Sequence, residues 1–175
     1  MEIFILLPDY ENYEGLRFTN PEDWQIMYKF KGIALANSWN PVDVYTDEHG
    51  YTGDFPGLPG GIPPVFSERA LKILSPIILD DIEALPLNNS TAQLYAINVL
   101  TVSDCLDQSR SQMQLFNDNR VMVIERYAFK ENCLQDKHIF KIPEQLGNLV
   151  YVSGAFKTLI EENGLTGLEF KKIYP

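Results

Sequence analysis

The chain has 175 residues, 45% of them hydrophobic and 22% charged, with a formal net charge of −10. That length and balance fit one domain with a sizeable core and exclude a disordered chain. The negative charge disfavours nucleic acid as a direct ligand, since phosphate binding needs a cationic face, and no apolar run approaches the roughly 18 residues of a membrane span.

Residues 1–8 are apolar but brief, lack a basic flank and stop at Pro8, so they read as a strand and not a signal peptide. A soluble, cytoplasmic protein is expected. Residues 9–15 form an acidic, tyrosine-rich connection. Asn20-Pro21-Glu22-Asp23 is a helix start: a capping Asn, a proline at the first position, and acids on the positive helix end. Trp24, Met27 and Tyr28 are expected to face the core. Residues 29–45 have mixed periodicity and are expected as strands broken at Trp39-Asn40-Pro41. Residues 46–64 hold five glycines and four prolines, a long ordered loop or a seam between subregions. Within it, Gly57-Leu58-Pro59-Gly60-Gly61 lacks the Lys-Ser/Thr ending of a phosphate cradle, and its prolines remove backbone donors.

Val65-Phe66-Ser67 then meets a helix, with Ser67 as cap and Ala70, Ile73 and Leu74 at helical spacing. Proline disfavours helix in the residue before it, so this helix is expected to end at Ser75-Pro76. Residues 87–91 are a turn, and residues 94–100 a strand buried on both faces. Residues 121–125 and 138–142 are two more strands, with a short turn at 144–147. The tail from Leu149 to Phe170 reads as strand, Ser153 cap, short helix (Phe156, Leu159, Ile160), glycine stop and closing strand. Short strands outnumber short helices without regular long crossovers, so the fold class is α+β with a largely antiparallel or mixed sheet. The two strand–Ser–helix units suggest a pseudo-repeat around one sheet. The chain is expected as a single domain, 1–175, with an acidic N-terminal subregion (1–54) and a repeat-containing core (62–175).

Few side chains invite chemistry. Cys105 and Cys133 are too few for a disulfide framework and lack metal-ligand spacing, so they are expected as reduced, partly buried thiols. Of the two histidines, His49 reads as a solvated turn residue and His138 as a strand opener that hydrogen-bonds in the core or at its edge. Ser153 lacks the glycine two residues earlier that a nucleophile elbow uses, and helix capping accounts for it. Asp104 and Asp107, three apart, suit acid–base or Mg²⁺ work on a helical face. The structural alternative, favoured here, is a turn cap at Ser103 or Asp104 and an Asp107–Arg110 pair. No catalytic residue, cofactor or metal is expected.

The charge is unevenly placed. Residues 1–54 carry ten acids against three bases, a net of −7, and the other residues a net of −3. Such a surface either suits the steering of a basic partner or serves solubility alone.

A longer pattern runs through these pieces: Trp39-Asn40-Pro41, Gly53-Asp54-Phe55, Val65-Phe66-Ser67-Glu68-Arg69-Ala70, Leu85-Pro86-Leu87, Tyr95-Ala96-Ile97-Asn98, Asp104-Cys105-Leu106-Asp107, Ser111, His138-Ile139-Phe140-Lys141 and Val150-Tyr151-Val152-Ser153, closing on Gly164-Leu165-Thr166-Gly167-Leu168-Glu169-Phe170. In this order it resembles, over about residues 30–173, a bacterial family once described only as a domain of unknown function and later grouped with immunity proteins of polymorphic toxin systems, the eleventh numbered immunity family. Lys141 stands where arginine is the more usual residue. The resemblance implies protection by binding a cognate toxin, and carries no catalytic residues over. With the acidity, it points to a cationic toxin met by Asp43, Tyr45, Asp47, Glu48, Tyr51 and Asp54, with Asp80, Asp81 and Glu83 as a second cluster; Phe55 is either an anchor or core. The rivals are a small-molecule enzyme using Asp104, Asp107 and His138, and a scaffold subunit of a secretion-associated assembly. The oligomeric state is left open.

Overall fold

The computed structural model describes residues 1–46, 50–130 and 132–175, so Asp47, Glu48 and His49 lie outside the described residues. The strands in chain order are β1 (Ile3–Pro8), β2 (Leu16–Phe18), β3 (Val44–Thr46), β4 (Val65–Ser67), β5 (Ile82–Leu87), β6 (Leu94–Val99), β7 (Gln112–Leu115), β8 (Val121–Arg126), β9 (Ile139–Phe140), β10 (Tyr151–Ser153) and β11 (Leu168–Tyr174). The α-helices are α1 (Glu68–Ile78) and α2 (Gly154–Glu162). The strands pair antiparallel in small sheets of order β11-β1-β10-β9, β4-β6-β5, β2-β3 and β7-β8. The fold is α+β, as expected.

Strand alternation divides the interior. On β1, Phe4 and Leu6 join a core with Phe66, Leu74, Val152, Phe156 and Ile160, beneath α1 and α2. Ile3 and Ile5 point the other way, into a core with Cys105, Phe140, Ile142 and Tyr151. On β6, Ile97 and Val99 join the helical core. Its Leu94 and Ala96 face a third cluster with Leu16, Phe30, Val44 and Leu58. Each such side chain contributes about 1.5–3 kcal/mol by leaving water.

Both helices begin at serines. Ser67 Oγ accepts from Ala70 N at 3.0 Å and Ser153 Oγ from Phe156 N at 3.2 Å, each satisfying a donor the helix leaves open. The two units do not share one sheet: β4 is an edge strand beside β6, whereas β10 lies between β1 and β9. Helix α1 also runs past Pro76 to Ile78. A proline this close to the last turn removes only one helical bond, and fully buried Ile78 packs that turn into the core.

Residues 21–29 are helical but form a 3-10 helix, with Asn20 Oδ1 accepting from Glu22 N. The expected inward face is wrong. Trp24 is 43% and Tyr28 62% exposed, stacked edge-to-face at 5.3 Å, while Ile26 and Phe30 face the core instead. Three residues per turn, in place of 3.6, rotate the side chains off the anticipated stripe. Residues 29–45 contain one described strand, β3, and otherwise rely on side-chain anchors. Trp39 Nε1 donates to Pro86 O at 2.8 Å, and Leu35 N and Ala36 N donate to the Glu83 carboxylate.

The cysteines are not reduced: Cys105 and Cys133 form a disulfide, with Cα atoms 5.6 Å apart across 28 residues. Lys130 N donates to Cys105 O and Asp107 N to Ala128 O, both at 2.8 Å, closing the base of the β7–β8 hairpin. That chain return brings the two sulfurs together, and sequence spacing does not reveal it.

Candidate functional site

Asp104, Asp107 and His138 are each engaged separately. Asp104 is exposed on the surface and pairs with Lys130 at 3.3 Å. Asp107 accepts from Ser109 Oγ and from Arg110 Nε, both at 2.6 Å, and these bonds hold its carboxyl at about 2. A group so firmly ionised is no general acid near neutrality. His138 Nδ1 lies 2.9 Å from Ser153 Oγ, which is buried and already caps α2. His138 also lines a hollow of about 540 Å³ with Met1, Lys130, Gln135, Asp136 and Tyr174, in which neither Asp104 nor Asp107 takes part. Among the described residues, no group of three or more His, Cys, Asp or Glu is placed to hold a metal ion.

The anticipated acidic contacts separate into internal and external groups. Asp54 is buried and accepts from Ser67 Oγ (3.0 Å), Arg69 Nη1 (2.9 Å) and Thr166 N (3.2 Å), tying the 46–64 loop to α1 and the C-terminal turn. Glu83 is half-buried. Burial pushes its pKa up, but hydrogen bonds from Leu35 N, Asn98 and Ala36 N outweigh that and hold it lowered. Asp81 accepts from Thr101 Oγ1 and pairs with Lys137. Phe55 is core, 2% exposed against Phe66. Asp43, Tyr45, Tyr51 and Asp80 are at the surface, Asp43 accepting from Asn88 Nδ2 at 2.9 Å.

Two features went unseen in the sequence. Lys141 is 1% exposed, and its Nζ donates to Phe30 O at 2.8 Å and Leu146 O at 2.7 Å, where two 3-10 helices end. Helix C-termini favour a cation, yet burial lowers its pKa to about 8. A lysine within an apolar strand was the available signal. The second feature is the exposure of Tyr10, Trp24 and Tyr28, which join the anticipated Tyr45 and Tyr51 in an exposed aromatic set of the N-terminal third.

Among the described residues no helix is long and apolar enough to cross a membrane. No curated protein matches the chain. The model of the immunity protein family Imm11 matches residues 84–175, a shorter span than the 30–173 read from the motif order.

Proposed function

The chain belongs to the Imm11 immunity protein family, and from that premise we propose that it binds a cognate toxin and neutralises it by occlusion, without chemistry of its own. Membership implies a toxin partner, and the finer reading is that this partner is basic. One observation carries it. Of six exposed large aromatic residues among those described, five lie within residues 1–54, the stretch with a net charge of −7, and Phe116 is the sixth. Aromatic side chains that remain in water supply anchor area, and a surrounding negative field speeds and orients the approach of a cation-rich surface. Asp43, Tyr45, Tyr51 and Asp80 are proposed as contacts. Asp54, Asp81 and Glu83 support the surface from within, through the bonds described above.

The engagement of Asp104, Asp107 and His138 with separate partners weighs against an enzyme built on them. The Cys105–Cys133 bond argues for an oxidising compartment in place of the cytoplasm anticipated from the sequence, and thiol trapping in growing cells tests that point. The function is tested by co-expression with the toxin encoded next to this gene. Restored growth is expected, and unchanged toxicity with every adjacent candidate overturns the proposal.

A further inference from the structure

Tyr51 is the most exposed large hydrophobic residue among those described, at 74%, yet its backbone is fixed. Its N–H donates to Asn12 O at 2.8 Å, and its carbonyl accepts from Glu14 N at 3.0 Å. Its ring meets Tyr13 edge-to-face at 6.2 Å. Three glycines make room for this arrangement. A Cβ on Gly50 falls 2.7 Å from the Tyr13 carbonyl carbon, one on Gly53 falls 2.7 Å from the Tyr13 ring, and one on Gly57 falls 2.6 Å from the Tyr10 ring. Tyr10 is itself tethered through its hydroxyl to Leu58 O. Between Tyr10 and Tyr13 lies a groove of about 350 Å³, floored by Gly15 and Gly57, with Arg17 in its lining. Residues 9–15 contribute three acids and no base. Asp9 is occupied by Glu11 N and Asn12, and the other two acids, Glu11 and Glu14, each follow one of these tyrosines in the chain.

We infer that Tyr51, Tyr13 and Tyr10, with the carboxylates of Glu11 and Glu14, form the docking point for a lysine- or arginine-bearing segment of the cognate toxin. This inference rests on the functional reading above. Ring faces and carboxylates together suit an extended cationic side chain, which stacks on the first and ion-pairs with the second. A second copy of this chain is disfavoured as occupant, because its own charge of −10 is repelled. The rings are held before contact, so docking loses little side-chain freedom.

The test measures binding of the purified toxin domain from the adjacent gene by calorimetry and stopped flow, at low and high salt. Tyr51→Ala, at a site too exposed to unsettle the fold, is expected to weaken binding about 10- to 100-fold. Glu11→Lys with Glu14→Lys is expected to slow association about 10-fold at low salt and flatten its salt dependence. Glu2→Lys with Glu125→Lys makes the same charge change at the opposite end of β1 and on the hairpin, and is expected to leave affinity within twofold. Wild-type binding that survives both patch variants within twofold overturns the inference and leaves the functional reading standing. An equal loss in the remote variant also overturns it, because charge in general and not this patch is then responsible. No binding by the wild-type chain overturns the functional reading itself.

Discussion

The β2–β3 ribbon and the β7–β8 hairpin are both two-stranded, and a lone pair of strands is at best marginally stable in water. They are secured differently. The first buries Leu16 and Val44 in the core, and its neighbourhood is pinned by polar anchors: Asn88 to Asp43, Trp39 to Pro86, the Glu83 carboxylate under Leu35 and Ala36, and Lys141 under Phe30. The hairpin buries only Ile124 among its strand residues and exposes Leu115, Met122 and Val123. A covalent bond ties its base. The pair shows that chain without regular structure is held firmly when its backbone groups find buried side-chain partners, whereas a protruding ribbon with little core needs a crosslink.

If that contrast is right, the N-terminal stretch fails through polar deletions and the hairpin through reduction. The largest effect is expected for Glu83→Ala, which strips the acceptor from Leu35 N, Ala36 N and the fully buried Asn98 amide. A loss of about 4 kcal/mol is expected in urea unfolding. Lys141 gives a pH signature of about 3 kcal/mol. Its folded pKa of about 8 lies below the ordinary lysine value of 10.5, so both states hold the proton below pH 8. Between the two values only the unfolded chain holds it, and stability therefore rises with pH across that window. Lys141→Met is expected to lose this rise, and a slope that persists in the variant removes the assignment. Cys105→Ser with Cys133→Ser is expected to cost about 3 kcal/mol. Amide exchange should quicken in residues 106–132 and stay slow in β2 and β3. Ser153→Ala is expected to cost about 1 kcal/mol through the lost cap. Smallest of all, Leu115→Ser with Val123→Ser is expected to change stability by no more than about 0.5 kcal/mol. A larger loss breaks the contrast, because the hairpin then has a core of its own.

Local chemistry was legible in the chain, and contacts between distant segments were not. The serine caps, the Asn20 start and the doubly buried β6 follow from rules that act over a few residues. The exposure of Trp24 and Tyr28 was hidden because the same capped segment serves a helix of either pitch. The disulfide was hidden because two cysteines 28 residues apart become neighbours only through a hairpin that neither one specifies. Asp54 and Glu83 read as surface acids because nothing beside them in sequence announces Thr166 or Asn98 as partners. Of the docking patch, the tyrosines and acids of residues 9–15 were plain from composition, but their alignment with Tyr51 depends on a pairing made across a long loop.

β1 lies in the main sheet between β10 and β11, so it meets both its neighbours only after residues 151–174 have been synthesised. Until then Ile3, Phe4, Ile5 and Leu6 lack the strands that flank them, and the main sheet cannot assemble. A chain cut short before residue 151 therefore lacks both partners of β1 and leaves two faces of its core without their shared wall.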